Sequence, residues 1–126
     1  MEGGTLNWTA RYFKPTEFDS PDEPGSGDNM NVGFISKLDV ARSFCSFPWR
    51  ISAGYRTAAH NKLIGGAPSS RHLSGEAADI ACTDSGSRYA IVAAAIKAGI
   101  RGIEVCDRHV HLDNRSKPTM WPDKSK

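Results

Sequence analysis

The spacing of apolar and polar residues along the chain predicts three helical stretches. Between residues 31 and 44, apolar side chains recur at intervals of three and four, which is typical of an amphipathic helix. Residues 89–98 predict a second helix, because their alanine content favours one and Gly99 follows as a residue that can end it. Residues 57–63 are expected to form a short helical turn.

Four short stretches have the pattern of β-strands. Residues 49–54 predict a core strand, and residues 77–81 predict a short buried one. Residues 102–106 and 109–113 predict two more strands joined by a tight turn. The pattern as a whole predicts an α+β fold, with a small and mostly antiparallel sheet flanked by helices.

The two ends of the chain differ in composition from the middle. Residues 1–30 are rich in proline, glycine and aspartate, which predicts an N-terminal arm built from turns. Four aromatic residues in this arm are expected to pack on the domain: Trp8, Tyr12, Phe13 and Phe18. Residues 114–126 contain two prolines and are predicted to form an irregular tail. A chain of 126 residues is long enough for one domain, which we expect to span residues 1–126.

Composition and charge argue against several classes of partner. The net charge is +2 and no run of basic residues occurs before the tail at 124–126, so we expect no nucleic-acid partner. No apolar stretch approaches the roughly 18–20 residues that cross a bilayer, so we expect no membrane association. The chain begins without a secretory signal, which predicts synthesis in a cytoplasm, and we expect a monomer.

The cysteine pattern predicts free thiols. Cys45, Cys82 and Cys106 are odd in number and have no C-x-x-C spacing, which argues against a disulfide scaffold or a cysteine zinc site. We expect three small, buried, reduced side chains without a disulfide bond between them.

Candidate metal chemistry begins with His72 and Asp79. Seven residues span about 23 Å as a strand and about 10 Å as a helix, whereas two ligands of one zinc ion each lie roughly 2.0–2.2 Å from it. The chain must therefore fold back between them, and Gly75 can adopt the positive φ that such a turn needs. These two residues are predicted to form half of a metal site.

A second polar group is predicted on the last strand of the domain. Side chains alternate along a strand, so His109, His111 and Asp113 should all lie on the same face. Three polar groups on one face are costly to bury without a function. We expect this face to complete the site.

These residues form motifs that resemble the zinc D-alanyl-D-alanine carboxypeptidases and related cell-wall peptidases, whose fold is shared with the hedgehog signalling domain. Residues 70–79 match every fixed position of the S-x-H-x-x-G-x-A-x-D motif of this family. His111 and Asp113 are similar to its second motif, a histidine followed two residues later by an aspartate. Residues 52–56 resemble its serine-glycine-tyrosine-arginine segment.

The resemblance implies a set of roles around one Zn²⁺ ion. His72, Asp79 and His111 would be the ligands, and a water molecule in the fourth position would be the nucleophile. Asp113 would orient an imidazole or hold charge near the metal. Arg56 would bind the developing oxyanion or a substrate carboxylate. Ser70 and Asn61 are expected to support the substrate by hydrogen bonding.

The sequence does not decide which residue is the general base. Many relatives carry a glutamate three residues before the last histidine ligand, where this chain has Arg108. His109 is the first candidate, followed by Glu104 and then Asp113. His109 as a fourth zinc ligand is the alternative, and it would close the site to catalysis.

The substrate implied by the resemblance is bacterial peptidoglycan or its peptide fragments, cut by a carboxypeptidase or an endopeptidase. Without a secretory signal, such an enzyme would act on the wall after lysis, as an endolysin-like phage protein or a protein carried in a phage particle, or on soluble peptides inside the cell. The alternative function is a non-catalytic, zinc-stabilised module of the same fold that binds cell wall or protein.

Overall fold

Three helices form in the regions that the apolar pattern indicates. In the computed structural model, which describes residues 8–123, they are α1 (Val32–Ser43), α2 (Ala58–Leu63) and α3 (Ser85–Lys97). Each begins at a capping side chain, because Asn31, Thr57 and Asp84 accept hydrogen bonds from backbone N–H groups three residues later. The cap at Asp84 starts α3 four residues before the predicted position.

Five strands form one sheet: β1 (Ile51–Ala53), β2 (Ala77–Ala81), β3 (Gly102–Val105), β4 (His109–Asp113) and β5 (Thr119–Pro122). Their order across the sheet is β1-β2-β4-β3-β5, and every pair is antiparallel except β3 and β5. The α+β fold predicted from the sequence is confirmed.

The prediction of an irregular tail is wrong at β5. Thr119–Pro122 runs parallel to β3, and Thr119 N–H donates to Arg101 O at 2.8 Å. β5 lies at the end of the strand order, so Pro122, which has no N–H group, needs no further partner on the outer side. The predicted tail residues 124–126 lie outside the described residues, as do residues 1–7 of the predicted arm.

Alternation along the central strands separates the core from a polar face. Val110 and Leu112 of β4 and Ile80 of β2 are fully buried in the hydrophobic core. α1 and α3 pack against each other, and α3 packs against β4. The intervening residues therefore lie on the opposite face, where Asp79 is directly across from His111.

The described part of the arm, from residue 8 onward, is held against the domain by aromatic packing and hydrogen bonds. Phe13 and Phe18 are buried, and the Trp8 ring centroid lies 5.7 Å from that of Phe18. The carboxylate of Asp39 on α1 accepts the N–H of Tyr12 at 2.9 Å. Tyr12 is 43% exposed, but its ring packs on the domain surface, where Arg42 Cζ of α1 lies 4.5 Å from the ring centroid.

No helix within residues 8–123 is long and apolar enough to cross a bilayer.

Candidate metal centre

A tight turn between β1 and β2 brings His72 opposite Asp79. His72 lies in a single 3₁₀ turn, Arg71–Ser74, and its own N–H donates to the capping Ser70 Oγ at 3.3 Å. The turn ends at Gly75, which has a φ of 71°. A Cβ at Gly75 would also lie 2.4 Å from Asn29 O, so both the conformation and the space require glycine. The fold-back expected at this glycine is therefore present.

Three donor atoms converge at this point. His72 Nε2 lies 3.4 Å from Asp79 Oδ1, and His111 Nδ1 lies 3.0 Å from the same oxygen. One ligand atom from each of these three residues lies within 4.8 Å of the other two. Ligands that each sit roughly 2.0–2.2 Å from a shared zinc ion require a separation of this order. The three predicted ligands are thus together, in a position that is largely shielded from solvent.

Hydrogen bonds to the other ring nitrogens orient both imidazoles. His72 Nδ1 lies 2.8 Å from Gly54 O, and His111 Nε2 lies 2.8 Å from Asp113 Oδ2. Both partners can only accept, so with a cation bound at the site these two nitrogens would carry the proton. His72 Nε2 and His111 Nδ1, which both face Asp79, would then offer their lone pairs to the cation. The donor set therefore fits a divalent cation such as zinc.

Asp113 is a fixed charge beneath this cluster. Its side chain is fully buried and accepts hydrogen bonds from Arg115 Nε at 2.8 Å and Nη2 at 2.7 Å. Burial alone would raise the pKa of Asp113, but the bonds from Arg115 and His111 hold the pKa well below its ordinary value. The carboxylate lies against Gly102 of β3, where a Cβ would be only 1.8 Å from Oδ1.

The two aspartates also change the protonation of His111. Burial alone would lower the pKa of His111, yet its hydrogen bonds to Asp113 and Asp79 raise it to about 9. Burial likewise opposes ionisation of Asp79, but the bonds to His111 and His72 keep the pKa of Asp79 well below its ordinary value. The cluster therefore holds two negative charges that attract either a proton or a metal cation.

The cluster opens into a cavity of about 490 Å³. Eight of the predicted site residues line it: Arg56, Ser70, His72, Asp79, Glu104, His109, His111 and Asp113. His109 Nε2 lies 3.7 Å from Asp79 Oδ2 and its side chain is 32% exposed. Glu104 faces His111 across the β3–β4 ladder. His109 is not part of the group of three residues with metal-ligand spacing.

Asn61 lies behind Arg56 and not on the cavity wall. Its side chain is buried, accepts a hydrogen bond from Arg56 Nη1 at 3.1 Å and donates one to Ala67 O at 3.0 Å. Arg56 N–H donates to His72 O at 3.0 Å, which ties the arginine to the ligand turn. Burial lowers the pKa of Arg56 and the charge of Asp79 opposes that change, but an arginine remains protonated at neutral pH. The position of Asn61 favours support of Arg56 over direct contact with substrate.

Five residues that line the cavity were not among the predicted site residues, and three of them have large side chains: Arg71, Arg115 and Trp121. Arg71 Nε lies 3.9 Å from Asp113 Oδ1, and the Arg115 guanidinium lies 4.3 Å from the Trp121 ring centroid. The local sequence offered one signal for the ion pair between Asp113 and Arg115, because Arg115 follows Asp113 by only two residues. Trp121 reaches the site through β5, which the local sequence did not predict.

Comparison with known proteins supports the motif-based interpretation. A protein-family model described as Peptidase M15 matches residues 12–113, which include part of the arm, the ligand turn and all three convergent residues. No curated protein matches the chain.

Proposed function

The chain belongs to the peptidase M15 family, and from that premise we propose that it is a zinc-dependent hydrolase of peptide bonds in peptidoglycan stem peptides or their cross-links. The observation that carries the proposal is the convergence of His72, Asp79 and His111 at the floor of an open cavity, beside Arg56. Two imidazoles and one carboxylate are the donor set of catalytic zinc sites, which leave one position open.

Zinc is the metal that this donor set favours. Nitrogen ligands from two histidines suit zinc better than they suit magnesium or calcium, which take oxygen ligands. When bound, zinc would polarise the scissile carbonyl and lower the pKa of water. The chain's own residues must then position the peptide, stabilise developing charge and move protons.

His109 is the first candidate for moving the proton. Its Nε2 lies 3.7 Å from Asp79 Oδ2, so the ring is beside the ligand group without being part of it. Its side chain is partly exposed to the cavity, where it can reach water and a leaving amine. Glu104 on the neighbouring strand is the second candidate. Asp113 is the least suited, because its oxygens are already bound by Arg115 and His111.

Arg56 is proposed to stabilise the oxyanion. It lines the cavity beside Asp79 and is held there by Asn61 at 3.1 Å, so little reorganisation is needed during the reaction. Ser70 also lines the cavity and could donate to substrate while it caps the ligand turn.

A peptide substrate with free carboxylates suits the walls of the cavity. Arg56, Arg71 and Arg115 all line it, and peptidoglycan stem peptides carry carboxylate groups that arginine can bind. The choice of a cell-wall substrate rests on the motif resemblance. We expect a single chain to act on this substrate without a nucleic-acid or membrane partner.

A non-catalytic binding module is the second candidate function. It is favoured by one observation, the presence of Arg108 where many relatives have a catalytic glutamate. Such a module would bind zinc and peptidoglycan without cleaving it.

The test is release of new amino groups from purified peptidoglycan and soluble stem peptides by zinc-loaded protein. We expect zinc-dependent hydrolysis, with free D-alanine as the product of a carboxypeptidase and separated stem peptides as the product of an endopeptidase. His72→Ala should lose both metal and activity, whereas Arg56→Ala should keep metal and lose about 10²–10³-fold in turnover. Zinc-loaded wild type that binds peptidoglycan but cleaves no substrate would favour the binding module.

A further inference from the structure

A second group of potential ligands lies at the end of β3, on the same sheet face as the metal centre. Glu104 and Cys106 alternate with Val105 and so lie on one face, and Asp123 follows β5 directly beside them. Their ligand atoms, one sulfur and two carboxylate oxygens, all lie within 4.8 Å of one another. None of these atoms belongs to the group formed by His72, Asp79 and His111.

The sulfur of Cys106 has no hydrogen-bond partner within residues 8–123, although the residue is only 5% exposed. The other two thiols differ, because Cys45 Sγ contacts Ala90 O at 3.6 Å and Cys82 Sγ contacts Asp84 O at 3.9 Å. Burial and then the nearby charges of Glu104 and Asp123 raise the pKa of Cys106 to about 12. The thiol is thus buried, faces two carboxylates and makes no hydrogen bond with the described part of the chain.

The turn that carries Cys106 is held in place by other contacts. Arg88 on α3 donates to Cys106 O at 3.2 Å and to Asp107 O at 2.9 Å. Cys106 N–H donates to His109 O at 3.1 Å. The sulfur is therefore positioned before any ligand arrives, which lowers the cost of binding one.

From this geometry we propose that Glu104, Cys106 and Asp123 form a second cation site, selective for thiophilic divalent metals such as Zn²⁺, Co²⁺ or Cd²⁺. One sulfur and two oxygen donors suit such ions, whereas Mg²⁺ and Ca²⁺ take oxygen ligands alone. Binding would form the metal–sulfur bond and release the thiol proton to solvent. The site shares no ligand with the first centre, so metal binding there can be measured separately from the proposed peptidase activity.

Occupancy of the second site would nevertheless affect the first cavity. Glu104 lines that cavity as well as the second group. A cation that binds its carboxylate would hold it away from the cavity and neutralise its charge. A second equivalent of metal should therefore remove the negative charge of Glu104 next to His111, while the first ion stays bound.

The test uses cobalt(II) chloride, because only the second site contains sulfur. Titration of the reduced protein with Co²⁺ should produce sulfur-to-metal charge-transfer absorption in the near ultraviolet. His72→Ala should retain this absorption, which separates the second site from the proposed function. Cys106→Ser should abolish it, and the matched variant Cys82→Ser should not. Asp123→Asn should weaken Co²⁺ binding at least as much as the roughly 10–100-fold lost when outer-shell partners of a metal are removed.

Absence of charge-transfer absorption in folded wild type at excess Co²⁺ would overturn the proposal. It would also be overturned if the absorption persisted in Cys106→Ser or disappeared in Cys82→Ser. If Cys106→Ser failed to fold, retention of full Co²⁺ affinity by Asp123→Asn would overturn the three-ligand site.

Discussion

His111 links the metal position to the buried charge behind it. One ring nitrogen lies 3.0 Å from Asp79 and the other lies 2.8 Å from Asp113. The imidazole is therefore fixed in orientation by a carboxylate that is itself bound by Arg115. The motif formed by His111 and Asp113 thus depends on Arg115, which is not part of the motif.

His109 and Glu104 are the two leading candidates for the general base, and replacing each in turn distinguishes them. If His109 moves the proton, His109→Ala should leave zinc affinity nearly unchanged and reduce hydrolysis by about 10²–10⁴-fold. Glu104→Gln, which keeps the shape of the side chain, should then have a much smaller effect. Steady-state rates and zinc affinity of both variants check this.

Two results would contradict the assignment of His109. A large loss of zinc affinity in His109→Ala would make this residue a ligand. A full rate in His109→Ala together with a strong loss in Glu104→Gln would make the glutamate the base.

At the scale of elements, β4 carries the polar side chains of the site, and the neighbouring strand β3 leaves space for one of them. Alternate residues of β4 point to the core or to the site, and Gly102 on β3 leaves the space that Asp113 occupies. β5 then adds Trp121 to the cavity wall. The site face is therefore built from neighbouring strands in register.

Gly102→Ala should disturb both stability and the metal position. The added Cβ would overlap Asp113 Oδ1 and approach Arg115 Nε, at 1.8 and 2.7 Å. We expect a loss of about 1–3 kcal/mol in the free energy of unfolding, the usual cost of overpacking, together with weaker zinc binding. Denaturant unfolding and zinc titration measure both effects.

The matched control is Gly86→Ala in α3. A Cβ there would lie 3.5 Å from Asp84 Oδ2, which is an ordinary contact. Alanine favours helix, so this variant should be neutral or more stable. Equal stability of Gly102→Ala and wild type would show that Asp113 can move at no cost.

The sequence predicted the elements whose signals are local. β2 and β4 have the predicted bounds, because alternation and the motif residues both lie within them. β5 was missed because its pairing with β3 is not visible in the local sequence, and because Pro118 before it and Pro122 at its end argued for irregular structure. Trp121 was missed for the same reason. Arg115 was missed because its bonds to Asp113 form only in the folded chain, and Asn61 was placed at the substrate because its burial depends on packing.

At the scale of the whole molecule, the sheet separates two environments. α1 and α3 cover one face with an apolar core, and the other face holds the ionisable groups. Charged groups that are shielded from solvent make the stability of the fold depend on pH.

The metal-stripped protein should lose stability as the pH rises. The pKa of His111 is raised from 6.5 to about 9 in the folded chain, so its contribution is fully present below about 6.5 and is lost as the pH rises through about 9. The measurement is denaturant unfolding of chelator-treated protein across this range. His111→Gln should remove this part of the pH dependence. The same slope in both proteins would assign the effect to other groups.

We propose that His72, Asp79 and His111 hold the zinc ion. Zinc K-edge X-ray absorption on Cys106→Ser protein, loaded with one equivalent of zinc, tests it most directly, because this variant removes the sulfur of the second site. We expect two imidazole nitrogens and carboxylate oxygen at about 2.0–2.2 Å from the zinc ion. Zinc that is not retained, or that is bound by fewer than two imidazoles, would contradict it.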